Sequence, residues 1–248
     1  MSDRGGIPER EAAARYDESH RHADTGEAVD FLAALCAGGR ALELGVGTGR
    51  VALPLVGRGV TVHGMDASTA MLKQMVAADP QSTVTTLTGD FCDFVLPGRY
   101  DLVFCVYNAV FGLLTQRDQV RCFGSVARHL QPTGRFVLQC FVPRGDLGAR
   151  IADVREDEHY LRVSTGQHDR AQQIVRTRQT YVGRSSTYSY ELEYRYIYPS
   201  EMDLMAELAG LELEARWADW GRRLFDASAT HHVSVYRRQV SRPGAGEG

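Results

Sequence analysis

A chain of 248 residues with 44% hydrophobic and 24% charged side chains has the make-up of a soluble globular protein. Its formal net charge is −3, from 28 Lys+Arg against 31 Asp+Glu with no concentrated basic stripe, which argues against a nucleic-acid backbone and favours a small molecule as partner. No apolar run approaches the roughly 18 residues of a membrane span, the five cysteines lack C-x-x-C spacing and read as free thiols, no metal cluster is suggested, and no signal-peptide core opens the chain, so a cytoplasmic location is expected.

In chain order, Pro8 to about His20 is predicted to be helical, with Pro near the first turn and three consecutive alanines behind it. Thr25 is expected to cap a second helix with Ala28, Val29, Leu32 and Leu35 on one face, ended by Gly38-Gly39. Ala41 to Leu44 is a short apolar strand running into the turn Gly45-Val46-Gly47-Thr48-Gly49, and a helix carrying Val51, Leu53, Leu55 and Val56 follows. Val60 to Met65 is the next strand and ends at Asp66; Ser68 then caps a helix through Met71, Leu72 and Met75 that Asp79-Pro80 closes. Strands Thr83 to Leu87 and Arg99 to Val106, helix Arg117 to Leu130 and strand Arg135 to Phe141 continue the alternation, which predicts a parallel sheet with its ligand turns on the carboxyl edge.

From Val142 the pattern changes. Tyr160 to Val163, Gln173 to Val182 and Thr187 to Tyr198 read as strands of an antiparallel insertion after strand five, the last two joined by Gly183 to Ser186. The last strand alternates sharply: Tyr188, Tyr190, Leu192, Tyr194, Tyr196 and Tyr198 point one way, and Ser189, Glu191, Glu193, Arg195 and Ile197 the other. Such an aromatic face packs on the core, pairs with a second copy of the chain to make a homo-oligomer, or roofs an acceptor pocket. Helix Ser200 to Ala209 and strands Glu212 to Trp217 and Thr230 to Arg237 complete the chain, and Ser241 to Gly248 is a polar tail expected to be disordered.

The chemistry concentrates at the glycine turn. Its glycines let the backbone bend sharply and let a ligand lie against it. A dinucleotide fingerprint requires G-x-G-x-x-G, whereas here the glycines run G-x-G-x-G, Arg50 occupies the third position, and Glu43 stands two residues before the first. Asp66 ends the next strand 21 residues after Gly45, where a carboxylate can accept from the two hydroxyls of a ribose. An NAD-dependent oxidoreductase, or a cofactor-binding subunit without turnover, remains an alternative on these residues alone.

Glu43 through Gly49, in the form E/D-x-G-x-G-x-G, resembles motif I of the class I S-adenosylmethionine-dependent methyltransferases, and Asp66, Asp90-Phe91 and the strand Arg99-Tyr100-Asp101-Leu102 follow at matching intervals. The resemblance implies S-adenosylmethionine as cofactor and S-adenosylhomocysteine as product. It implies Glu43, Gly45, Gly47 and Gly49 under the methionine and ribose, Asp66 on the ribose hydroxyls with Ala67 and Met71 beside it, Asp90-Phe91 at the adenine, and Val106 near the methyl group. Tyr16 resembles the N-terminal lid tyrosine of small-molecule methyltransferases, with His20 and His22 as candidate bases nearby.

The implied fold is α/β: a Rossmann-like, doubly wound seven-stranded sheet with an antiparallel final hairpin, an N-terminal helical lid (1–38) and a small antiparallel strand insertion after strand five (144–198), all in one domain over 1–240. Asn108, the only asparagine, follows strand four, where the family brings donor and acceptor together; Asn108, Tyr16 and His232 are the candidate catalytic residues, and Tyr107, Asn108, Phe111 and Tyr194 the candidate acceptor contacts. The expected reaction is in-line transfer of a methyl group to a small molecule, a natural product such as an antibiotic. Nitrogen is favoured over oxygen because no well-placed base declares itself and an unprotonated amine needs none.

Overall fold

The computed structural model describes residues 24–143, 148–156, 160–183 and 187–239. The expected first helix with Tyr16, His20 and His22, the turn 184–186 and the tail 241–248 lie outside the described residues. Helix α1 (Thr25–Cys36) is followed by β1 (Arg40–Leu44), α2 (Ala52–Val56), β2 (Thr61–Asp66), α3 (Thr69–Ala78), β3 (Thr85–Thr88) and β4 (Tyr100–Cys105). A 3-10 turn (Ala109–Gly112), α4 (Gln116–His129) and β5 (Leu130–Phe141) lead into β6 (Arg150–Glu156), β7 (Tyr160–Asp169), β8 (Ile174–Gly183) and β9 (Thr187–Arg195); α5 (Pro199–Leu208), β10 (Leu211–Trp217) and β11 (His231–Arg238) close the chain.

Seven strands form one sheet in the order β10-β11-β5-β4-β1-β2-β3. β1 to β5 pair in parallel, while β11 runs antiparallel to both β5 and β10. Their apolar runs are buried on both faces, as parallel strands covered by helices must be. One face packs Leu32 of α1, Leu55 of α2 and Met75 of α3 on Val62, Phe104 and Val235. The other packs Phe123 and Val126 of α4 and Met205 of α5 on Val103, Phe136 and Tyr236. The turns into the helices are capped locally: Met71 N–H donates to Ser68 Oγ at 3.3 Å, and Asp118 N–H to Thr115 Oγ1 at 3.1 Å.

β6 to β9 form a separate antiparallel sheet in sequence order. The insertion therefore has four strands where three were expected; Arg150–Glu156 alternates Ile151, Asp153 and Arg155 and carries no apolar face that marks a strand by itself. β9 also stops at Arg195 instead of Tyr198, because Pro199 starts a helix and Tyr198 sits at its N-cap. That changes the fate of Arg195. It turns inward, pairs with Glu201 at 2.9 Å and donates to the side chain of Gln119, tying the insertion to α5 and α4.

Candidate functional site

The carboxyl ends of β1, β2 and β4 converge on the glycine turn. Gly45 and Val46 both donate their N–H groups to Met65 O, at 2.8 and 3.0 Å, which locks the turn to β2. Gly45, Gly47 and Gly49 adopt φ of 78°, 56° and 85°, in the left-handed region that favours glycine. They serve different ends. A Cβ on Gly45 would lie 2.7 Å from Ala109 Cβ, and one on Gly49 would lie 2.6 Å from Met75 Cγ, whereas Gly47 has nothing within 4 Å. Two glycines permit close packing, and the third keeps space open.

That space is a cavity of about 100 Å³ lined by Glu43, Gly45, Gly47, Arg50, Val106 and Tyr107, among others. Glu43 is buried at its floor and its Oε2 has no partner among the described residues. Burial pushes the Glu43 carboxyl well above the usual range, and the Arg50 guanidinium works against that rise. A buried acid with one oxygen unsatisfied at a cavity wall has hydrogen-bonding capacity left for a ligand. The Arg50 guanidinium stands 4.0 Å from the Tyr107 ring centroid, a cation–ring contact between two residues of the cavity wall. In the sequence pattern Arg50 stands where a third glycine would be; its position after an acid and a glycine turn is the signal that marks it.

Asp66 lies behind the turn. Its two carboxylate oxygens accept from Gly47 N–H and Ser68 N–H, each at 2.8 Å, so it shapes the turn and keeps further lone pairs for a ligand. Phe91 Cε1 lies 3.7 Å from the Cβ position of Gly45, beside the same turn. Asp90 is exposed and accepts from Cys92 N–H at 2.8 Å; Ala67 is exposed, and Met71 sits in the first turn of α3. These three border the edge but do not line the cavity.

After β4 the chain turns through Tyr107 and Asn108, both left-handed at φ 53° and 65°, a strained conformation for two successive non-glycine residues. Tyr107 N–H donates to Gln139 Oε1 at 2.7 Å, and Asn108 Oδ1 accepts from Phe141 N–H at 2.7 Å. Asn108 thus holds the end of β5 and makes no side-chain cap on the 3-10 turn that follows. Both residues line a second cavity of about 400 Å³, with Gln139, Trp220 and His231 on its walls, and Tyr107 is common to both cavities. Trp220 Nε1 is buried there without a partner among the described residues.

Two expectations need correction. His232 is fully buried on the face that carries Cys140 and Ser234, its Nδ1 is 2.9 Å from Ser234 Oγ, and burial together with nearby Arg216 pushes its pKa down to about 3. His231, on the opposite face, is the histidine that lines the second cavity. Phe111 is a core side chain, 1% exposed, packed edge-on against Phe141 and stacked on Tyr194 at ring-centroid separations of 5.0 and 6.5 Å. Tyr194 is half-buried and lines a third cavity, over the inserted sheet. Among the described residues, no group of three or more His, Cys, Asp or Glu is placed to hold a metal ion, and no helix is long and apolar enough to cross a membrane.

Residues 41–134 match a family model described as a methyltransferase domain. The solved structure of the CcbJ methyltransferase from Streptomyces caelestis is 36% identical, covers 92% of this chain and 96% of its own, and superposes with a TM-score of 0.88. The cypemycin N-terminal methyltransferase of a Streptomyces species is 26% identical over 202 residues, 80% of this chain and 82% of that one. An amino pentose methyltransferase from Micromonospora echinaspora, solved with S-adenosylmethionine bound, shares the fold at a TM-score of 0.70, with 23% identity over 96% of this chain and 100% of its own.

Proposed function

The chain belongs to the class I S-adenosylmethionine-dependent methyltransferases, and we propose that it methylates a nitrogen of a small natural-product acceptor at the Tyr107–Asn108 turn. The observation that carries this reading is that Tyr107 walls both the glycine-turn cavity and the larger cavity beside it. One side is shaped for a donor and the other for an acceptor.

The donor side fits its cofactor. Glu43 Oε2 is buried without a partner among the described residues, and Gly47 leaves open space, so an acid and a bare backbone face a ligand that carries cationic and hydroxyl groups. Glu43, Gly45, Gly47 and Val106 would hold the amino-acid and ribose portions, Asp66 the ribose hydroxyls, and Phe91 with Asp90 the adenine. Ala67 and Met71 would border it. When bound, S-adenosylmethionine supplies a methyl group on a sulfonium, already activated for in-line displacement.

The chain's own task is then positioning and exclusion of water. Asn108 Nδ2, which has no partner among the described residues, would orient the acceptor, while its Oδ1 keeps the turn fixed to β5. His231 stands on the cavity wall to receive the proton that an amine sheds after transfer, replacing His232 in that role. Tyr16, from the N-terminal segment, would close the donor side. The cypemycin relative is named for transfer to an N-terminus, which supports nitrogen. The test is incubation with methyl-labelled S-adenosylmethionine and matched amine and phenol panels: label on amines is expected, and label confined to phenols overturns the nitrogen reading.

A further inference from the structure

The third cavity, about 520 Å³, lies over one face of the inserted sheet and is large enough for a drug-sized ligand. Cross-strand partners share a face, and the pairing Ile151↔Gly166↔Thr177↔Leu192 sets one row while Arg155↔Arg162↔Tyr181↔Tyr188 sets another. Between them runs the row Asp153↔Ser164↔Gln179↔Tyr190. The face is graded. Phe141, Ile151, Leu192 and Tyr194 make an apolar end, where Tyr194 stacks on Phe111 and Phe141 N–H donates to Asn108 of the acceptor turn, and Arg162 stands at the far end. Arg162 is four residues from Gly166 along β7, about 13 Å at the rise of a strand.

Charge and hydrogen bonding point the same way. The cavity wall carries Arg150, Arg155 and Arg162 against Asp153 alone, a balance of three to one in a chain whose net charge is −3. Asp153 pairs with Arg155 at 2.9 Å, so Arg150 and Arg162 are left without a carboxylate partner among the described residues. Arg162 Nε and Thr177 Oγ1 are buried with no hydrogen-bond partner among the described residues, and Thr177 is 8% exposed. A buried guanidinium nitrogen and a buried hydroxyl left unsatisfied in one cavity are groups that a ligand completes, and guanidinium forks favour oxyanions.

We propose that this cavity takes the part of the acceptor remote from the methylated atom, and that this part ends in an oxyanion, a carboxylate or a phosphate ester, bound by Arg162 with Thr177 contacting the chain between. This rests on the reading of the Tyr107–Asn108 turn as the acceptor site and adds the substrate class: an elongated molecule with an apolar middle and an anionic end.

The test titrates the S-adenosylhomocysteine-loaded protein by calorimetry with decanoate, decyl phosphate and neutral decanamide, whose length spans the two rows. Wild type is expected to bind at least one of the anions at least 10-fold tighter than decanamide, and the tighter anion identifies the oxyanion. Arg162→Ala should abolish that preference without changing S-adenosylhomocysteine affinity, and Arg162→Lys should retain part of it. Equal binding of all three ligands by wild type, or a preference that survives in Arg162→Ala, overturns the proposal. Labelled methyl transfer to neutral amines, run on the same samples, separates this failure from failure of the methyl-transfer reading: transfer without any anion preference overturns only the subsite, and absence of transfer to every amine overturns the acceptor reading beneath it.

Discussion

The glycine-turn edge and the inserted sheet are built by opposite means. At the edge, function is encoded in near neighbours: Glu43 and Arg50 lie on either side of one turn, and Asp66 reaches back from the next strand to Gly47 N–H. In the insertion, Ile151, Arg162, Thr177 and Tyr194 come from four strands and line one cavity only through register. A short motif can therefore announce a ligand turn, while a cavity assembled across strands leaves little trace in a single sequence.

The sharpest way to break this division is to cut the tie between the two regions. Arg195 and Glu201 are largely buried, and removing one partner of such a pair costs about 3 to 5 kcal/mol. Arg195→Ala should lower the denaturation midpoint accordingly and loosen the insertion to limited proteolysis first. Uniform loss of protection across both sheets would show that they do not behave separately.

A pair of glycines then separates the two regions by function. A Cβ on Gly166 would collide with Arg176 O and lie 2.8 Å from Thr177 Cα, and a Cβ on Gly45 would press on Ala109 in a left-handed conformation. Each substitution should cost about 1 to 3 kcal/mol. Gly166→Ala is expected to abolish acceptor turnover with S-adenosylhomocysteine affinity kept within threefold; Gly45→Ala should weaken that affinity at least 10-fold. The converse pattern in titrations would refute the division.

Acid should distinguish them too. His232 in the main sheet has its pKa lowered to about 3 by burial, so the unfolded chain takes up its proton first. Stability from this group is complete above about pH 6.5 and falls by roughly 1.4 kcal/mol per pH unit below it. Glu201, at the foot of the insertion, is held below its usual range because hydrogen bonds from Gln173, Arg195 and Gln116 outweigh its burial, so its contribution is complete above the ordinary carboxylate value and is lost as pH falls from there through its lowered one. Hydrogen exchange between pH 7 and 4.5 should show β11 weakening before β9.

The smallest effect is expected at Glu43. With its pKa raised by burial, the ionised form costs stability above the ordinary carboxylate range. Glu43→Gln should raise stability at pH 7 by on the order of 1 kcal/mol while weakening cofactor binding, a trade that a purely structural acid would not make.

The same contrast governs what was legible in the sequence. The parallel strands, their caps at Ser68 and Asp79-Pro80, and the final hairpin follow from apolar runs and turn residues that act locally. β6 was missed because its inward residues face a polar cavity instead of a core. Alternation does not separate His232 from His231, because Val233 and Val235 on one face and Ser234 and Tyr236 on the other are all buried and neither face is marked as the one that fronts the ligand edge. Arg195 was placed on the charged outer face because its partner, Glu201, lies on the next helix, beyond the end of the strand pattern.

The central claim, that the glycine-turn edge is the donor site and is organised by Asp66, is tested most directly by equilibrium titration of Asp66→Ala with S-adenosylhomocysteine. Loss of a charged hydrogen-bonding group predicts affinity weakened by about 1.5 to 3 kcal/mol, roughly 10-fold to more than 100-fold, in a protein that remains folded. Affinity equal to that of wild type would contradict the account.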